Sequence, residues 1–326
     1  RNLRTLARHR RKLVSMSTEE KNRIHTVIDR LFPGFLDEKK TGILPFSKSS
    51  LYLMENRFSP LQIRRRKRHK LIEVLHRYGT TKSENTAAKL QEYAVRVLNT
   101  PDEYVFTLQL SLAQHVKHFR CLQDSINQLE NEIAVWLAQT QGAFLTAVRG
   151  IGIVLAAGVS AEIGNPYEQK PLNNLVSYSG IIPRVKQTGG SEGKTRTGKV
   201  AKRCNRILKD YVVQSGLHMG LHGPEDLMAD YKRREAAGQH SDFGIGRRYL
   251  RMAMCLMRTS QIYMPQRLRN TEVKPEERAG YYLMTWPSLR NKWNKAGALE
   301  AAFEKDRPLG QWRNMVQELY EIKLKL

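Results

Sequence analysis

The sequence predicts a mainly α-helical protein, on three observations. Apolar residues recur at steps of three and four along most of the chain, period-two alternation is almost absent, and Ser-Pro, Thr-Pro and Gly-Pro pairs punctuate the helical runs. The expected architecture is a basic helical region (1–99), a long heptad helix of coiled-coil type (100–140), a helical domain containing a helix–hairpin–helix (141–264), and a helical C-terminal extension (265–326). At 326 residues the chain can bury a sizeable core.

Residues 1–31 read as one or two basic amphipathic helices, with Ser17 and Glu20 as a candidate capping box. Phe32 to Ser50, with Pro33, Gly34, Gly42 and Pro45, reads as a loop. Ser59-Pro60 opens a helix that Gly79 closes. Its face carries Arg64, Arg65, Arg66, Lys67, Arg68 and Lys70 without an acid, a mutual repulsion that favours phosphate contact over a merely solvated face. Thr100-Pro101-Asp102-Glu103 starts the next helix, with acids where the dipole wants them. From there Val105, Leu108, Leu112, His115, Phe119, Leu122, Ile126, Leu129, Ile133 and Trp136 form a heptad seam. Such a seam serves either a coiled coil between chains or a long helix packed on its own domain, and the pattern leaves both open. His115 reads as a register-setting polar residue rather than a ligand.

Ala143–Val148 reads as the end of one apolar helix, Gly150-Ile151-Gly152 as a tight turn, and Val154–Ile163 as a second helix. Gly150 and Gly152 let backbone amides at the second helix's start approach a phosphate. A dinucleotide-binding fingerprint is disfavoured, since no strand precedes and the third glycine is misplaced. An ordinary helical turn is the plain alternative. The loop from Arg184 to Gly198 carries Gly189, Gly190, Gly193 and Gly198 with the hydroxyls of Thr188, Ser191, Thr195 and Thr197. Between Arg184 and Lys209 stand nine cations (Arg184, Lys186, Lys194, Arg196, Lys199, Lys202, Arg203, Arg206, Lys209) and one acid, Glu192. Such a loop can bind phosphate through amides and cations, or present a hydroxyl nucleophile beside cations that stabilise a charged transition state. Chemistry alone favours binding.

His218 and His222 stand four apart near Glu225, but Gly220 and Gly223 disfavour the regular helix a metal site there needs. Glu225, Asp226 and Asp230 follow Gly223-Pro224 and read as the acidic start of a helix. The run Gly244–Arg251 opens another helix with cations in its first turns, a placement that favours a bound anion. Trp286-Pro287 precedes one helix and Pro308–Leu326 forms a last one, with Trp286, Trp293 and Trp312 as the core of a small domain rather than base-stacking residues.

Composition narrows the partner. Lys and Arg number 55 against 31 Asp and Glu, a net charge of +24, which predicts a polyanion held largely through counterion release. A membrane-surface role is disfavoured because the cations are spread over several segments. No membrane span is expected: Arg149 and Glu162 interrupt the best apolar run, Ala143–Gly164. Three separated cysteines, Cys121, Cys204 and Cys255, suit neither a disulfide framework nor a zinc site, and predict a reducing, cytoplasmic setting. The chain opens on Arg1 in a helical pattern, which reads as the C-terminal piece of a longer protein.

The order GIG…AEIG, YSGIIPRVKQTGG and GKVAKRCNRILK closely resembles the C-terminal domain of insertion-sequence transposases related to the pilin-gene DNA invertases, whose members include bridge-RNA-guided recombinases. KNRIHTVIDRL looks like the segment that follows that family's RuvC-like domain, so the resemblance covers roughly residues 1–262. It implies recombination by two parts: an N-terminal tetrad of acidic residues holding Mg²⁺, and a C-terminal serine that bonds covalently to DNA. It also implies DNA and a structured guide RNA as partners, use near the nucleoid, and a homo-oligomer formed through the heptad helix. The tetrad is expected upstream of Arg1, leaving no cofactor for this chain. The family's serine, in a pattern like QSGG, falls on Gln187-Thr188-Gly189-Gly190. The resemblance therefore favours Thr188 as nucleophile, whereas the crowding of its methyl group favours Ser191. Nucleic-acid contacts are expected at Gly150, Gly152, Arg184, Lys186, Lys194, Arg196, Lys199, Lys202, Arg203 and Arg206, and at Arg64, Arg65, Arg66 and Arg68. The expected function is the C-terminal portion of a DNA transposase or site-specific recombinase, inactive without its tetrad. The alternative is a non-catalytic structure-specific DNA or RNA binder, or a domesticated transposase remnant.

Overall fold

The computed structural model describes the chain except residues 57–58, 99, 169–171, 188–194, 201–202, 270–272 and 321–326. Its regular structure is mainly helical, as the periodicity predicts. In chain order it contains α1 (Asn2–Leu31), α2 (Glu38–Thr41), α3 (Lys48–Glu55), α4 (Pro60–Arg65), α5 (Arg68–Arg77), α6 (Ser83–Arg96) and α7 (Asp102–Ala138). There follow α8 (Ile153–Ile163), α9 (Leu172–Ser179), a ribbon of β1 (Pro183–Gln187) and β2 (Thr195–Val200), α10 (Arg206–His222), α11 (Glu225–Ala236), α12 (Ser241–Thr259), α13 (Pro275–Lys295), α14 (Leu299–Phe303) and α15 (Pro308–Tyr320). Two compact units emerge, residues 11–127 and residues 1–10 with 128–326. The division falls inside α1 and α7 and not at 99/100, 140/141 or 264/265.

In the unit of residues 11–127, α1 runs unbroken through Ser17 and Glu20, so they form no capping box. Both are buried and serve α7 instead. Gln123 Nε2 donates to Ser17 Oγ (2.8 Å), and Glu20 accepts from His115 Nδ1 (2.8 Å) and from Arg23. Burial raises the Glu20 pKa, but the bonds from His115 and Arg23 outweigh it and the net shift is downward. The expected loop at 32–50 encloses α2 and the start of α3, each begun by a side-chain cap, from Asp37 and Ser47. Ser59 caps α4 as expected. The single helix expected up to Gly79 is broken at Arg66-Lys67, where Gln91 Nε2 takes the Arg66 carbonyl (2.8 Å) and replaces a helical partner. Part of the heptad seam packs within the chain, while Leu122 and Leu129 stay half-buried outside both cores. Leu112 and Phe119 join the core with Ile24, Leu71 and Leu90, and Ile133 joins the core of the other unit. The apolar residues that α7 leaves exposed are Tyr104, Phe106, Leu110 and Val135.

In the other unit, α8, α10, α12 and α13 share one apolar core with Trp286, Trp293 and Trp312. Helices α10 and α12 approach closely because Gly216 faces backbone. A methyl at position 216 would lie 2.2 Å from the Asp242 carbonyl oxygen, and one at Gly246 would lie 2.8 Å from the Val212 oxygen. Ala143–Ala147 is part of a 3₁₀ turn (Gln141–Ala147) rather than the end of an α-helix; its Thr146 hydroxyl bonds back to the Ala143 carbonyl. The helix expected after Pro287 begins at Pro275 and absorbs Pro287, at the cost of one backbone bond. The ends of the expected Arg184–Gly198 loop form an antiparallel ribbon, with Val185 opposite Thr197 and Lys186 opposite Arg196. Val185, Thr195, Thr197 and Val200 supply the β-branched residues that suit it.

Candidate nucleic-acid interface

The turn before α8 is built as its glycines suggest. Gly150 has φ +87° and lies against α10, where an added methyl would meet the His218 carbonyl oxygen at 3.0 Å. Gly152 is the N-cap of α8 in extended conformation, and no side chain caps the amides that follow. Nothing stands within 4 Å of the position a methyl on Gly152 would take. The first turn of α8 thus offers uncapped N–H groups at the positive end of a helix dipole, beside exposed Arg149. The carbonyl side of the same turn is closed by α13. Lys292 Nζ donates to the carbonyl oxygens of Thr146 (2.6 Å), Val148 (3.1 Å) and Ile151 (2.8 Å), and Trp293 Nε1 donates to Thr146 Oγ1 (3.1 Å). Burial pushes the Lys292 pKa down to about 8. The three carbonyls act in the opposite sense, favouring the ammonium.

The other end of α8 anchors the ribbon. Glu162 is a buried carboxylate in an apolar helix and needs compensation. Arg8 supplies it bidentately, Nε to Oε1 at 2.7 Å and Nη2 to Oε2 at 2.9 Å, and Asn205 Nδ2 adds a bond to Oε2 at 2.8 Å. Burial raises the Glu162 pKa, but the bonds from Arg8 and Asn205 hold it below the usual carboxylate range. Arg4 binds the Ala161 and Glu162 carbonyls at the C-terminus of α8, where a cation suits the dipole. Asn205 is also the N-cap of α10, with its Oδ1 accepting from the amides of Ile207 and Leu208. Its own N–H reaches the Tyr178 carbonyl at 2.9 Å, and its Nδ2 reaches the Tyr178 hydroxyl at 3.0 Å. Arg247 Nη2 holds the Ile181 carbonyl two residues before β1. Both feet of the ribbon are therefore fixed to the helical core. The turn and these feet lie at the two ends of α8, about 15 Å apart along its axis.

Thr188, Ser191, Lys194 and Lys202 lie outside the described residues. Arg184, Lys186, Arg196 and Lys199 lie on the ribbon strands. Arg203 and Arg206 are exposed where α10 begins, cations at the end of a helix that favours anions. In the other unit, Arg65 and Arg68 are exposed and Arg64 and Arg66 half-buried. Helix α12 starts at Ser241, which puts Arg247 and Arg248 in its second turn with partners of their own. Arg248 pairs with Asp230 (2.9 Å) and Asp226 (3.3 Å), so the expected free cations at a helix start are not there. Glu225 and Asp226 do begin α11, as read. Asp230 sits among Arg233, Arg234 and Arg248, which outweigh the upward effect of its burial and bring its pKa down to about 2. Carboxylates so engaged do not suit a divalent metal, and among the described residues no three His, Cys, Asp or Glu side chains gather.

Glu162, Asn205 and Lys292 escaped the sequence reading as functional residues. Glu162 had a usable signal, as the one carboxylate in the apolar run 151–164, and Asn205 stood just before a helical pattern. Lys292 had none, since its partners lie more than 140 residues away.

A helical, strongly cationic unit with an open helix-start turn and a rooted ribbon is the class of architecture these features define. Residues 142–225, from the 3₁₀ turn to the start of α11, match the family described as "Transposase IS116/IS110/IS902 family". The chain is similar to the "Insertion element IS110 uncharacterized 43.6 kDa protein" of Streptomyces coelicolor, with 26% identity over 185 residues that cover 55% of this chain and 44% of the relative. It is also similar to the "Probable family 20 transposase" of Pseudomonas aeruginosa, with 29% identity over 102 residues, 29% of each chain. The chain thus spans less than half the length of either curated relative. No solved structure matches it. Among the described residues no helix is long and apolar enough to cross a membrane.

Proposed function

We propose that this chain is the nucleic-acid-engaging portion of an insertion-sequence transposase of the bridge-RNA-guided kind. In this reading it holds DNA and a structured guide RNA by their phosphates and supplies a hydroxyl, from Thr188 or Ser191, for strand cleavage. The observation that carries it is the uncapped, glycine-opened start of α8, within the segment that matches the transposase family. The turn and the 3₁₀ segment before it then act as a helix–hairpin–helix equivalent. Arg203, Arg206 and the ribbon's Arg184, Lys186, Arg196 and Lys199 supply charge at the other end of α8, with Lys194 and Lys202 beside them in sequence. In the cleavage step the hydroxyl oxygen attacks phosphorus, its proton passes to solvent or a base, and the 3′ or 5′ oxygen leaves with the electron pair of the broken P–O bond. Metal chemistry belongs to acidic residues outside this chain, and self-association through α7 completes the assembly.

Two measurements test the proposal. A DNA duplex should be retarded by the chain, with affinity falling steeply as salt rises; salt-insensitive binding, or none, counts against the whole reading. The transposase joined to its acidic domain should form a covalent DNA adduct that Thr188→Ala or Ser191→Ala abolishes. Retardation with no adduct favours the non-catalytic binder, a reading to which the threonine in the QTGG segment also lends weight.

A further inference from the structure

An ammonium has three N–H donors, and at Lys292 each of the three meets a backbone carbonyl of the turn, from Thr146, Val148 and Ile151. Three carbonyls converging within 2.6–3.1 Å of one positive centre are the donor set of a small cation site. The site is supplied from α13, whose next residue, Trp293, is buried and fastened to the Thr146 hydroxyl. The consequence for the other side of the turn follows from the peptide bond. In a trans peptide the C=O of Ile151 and the N–H of Gly152 point in opposite directions, so fixing the carbonyl toward Lys292 aims the amide away from it. The Val148 carbonyl adds a second constraint, because it accepts the Ile151 N–H (3.1 Å) as well as Lys292.

We propose that Lys292 is a built-in cation of the Gly150-Ile151-Gly152 turn, a positioning residue that gathers the carbonyls behind and presents the amides of α8 in front. The inference rests on the reading of that turn as a phosphate contact. It makes the C-terminal helix α13 part of the nucleic-acid-binding device, and it makes the chain independent of the monovalent ions such a turn would otherwise recruit.

The test compares the full chain with Lys292→Ala and Lys292→Met in potassium chloride and in choline chloride at equal ionic strength. Wild-type affinity for a DNA duplex, and its melting midpoint, should be the same in both salts. Lys292→Ala should bind about tenfold more weakly in choline and recover in potassium, with its melting midpoint following the same order. Lys292→Met keeps the apolar stem and fills the site with a methyl group, so it should lose affinity in both salts. Either variant binding like the wild type in choline overturns the proposal. So does a folded Lys292→Ala chain whose melting midpoint and affinity are indifferent to potassium. If the wild type binds no duplex, the phosphate-contact reading fails, and the melting midpoints still decide whether the cation site exists.

Discussion

Asp230 shows how one residue converts charge into conditional stability. Three arginines surround its buried carboxylate, and its pKa falls from the ordinary 3.8 to about 2. A depressed carboxylate contributes stability that is present above its unfolded value and lost on acidification through the folded one. The contribution here is about 2 kcal/mol at neutral pH, disappearing as pH falls from about 4 toward about 2. Urea titrations across that window should show the loss, and Asp230→Asn should remove it while lowering stability at neutral pH. Glu162 predicts a companion effect. Glu162→Gln keeps the shape but leaves Arg8 without its carboxylate, and should cost about 1–2 kcal/mol, because the Arg8 side chain is half exposed and can turn to water. It should also loosen the Asn205–Tyr178 foot of the ribbon, read as faster amide exchange at Asn205. A variant as stable as the wild type, with Asn205 equally protected, would remove Glu162 from the role given to it.

At the scale of elements, the α10–α12 crossing is the tightest test of packing. Gly216→Ala drives a methyl against the Asp242 carbonyl, and neither backbone can yield as a flexible side chain would. We expect at least about 2 kcal/mol of destabilisation by chemical denaturation, whereas Gly280→Ala, inside α13 with nothing within 4 Å of the added methyl, should leave stability unchanged or raise it by up to about 1 kcal/mol. The same scale shows what the sequence could declare. The capped starts of α4 and α11, the proline-marked start of α7, and the tryptophan core were legible because caps, prolines and apolar periods are local signals. The break between α4 and α5 was not, because Gln91, 25 residues on, supplies the partner for the Arg66 carbonyl. Nor was the ribbon: its strands are short, polar and cationic, and reveal their pairing only in three dimensions. The seam of α7 was correctly apolar, yet its period could not say that Leu112 and Phe119 would be covered by the chain itself.

Across the whole molecule, the surplus of 24 positive charges is a statement about solution behaviour before it is one about any site. Binding to a random-sequence duplex should weaken by orders of magnitude across a modest rise in salt, in a log–log plot with a slope of several units. A slope near zero would separate this chain from proteins that hold phosphate backbones. The glycine turn and the cationic stretch of the candidate site were visible in sequence; the Glu162–Asn205 brace and the Lys292 clamp depended on partners remote along the chain. The C-terminal segment likewise reads as an extension but packs as core. Removing residues 265–326 takes Leu289, Trp293 and Trp312 from the apolar cluster around α8, α10 and α12. The shortened chain should lose its cooperative melting transition and become protease-sensitive throughout residues 128–264, whereas a dispensable appendage would leave both unchanged.

The assignment of residues 1–10 to the same unit as residues 128–326 orders events on the ribosome. Arg4 and Arg8 emerge ahead of the unit of residues 11–127, yet the helix end they secure at Ala161 and Glu162 is synthesised more than 150 residues later. In the interval the unit of residues 11–127 emerges whole and can close on its own core. Nascent chains in which residues 1–127 have cleared the ribosome should therefore already protect Leu71, Leu90 and Leu112 from exchange, while residues 1–10 wait, chaperone-accessible, for the other end of their fold.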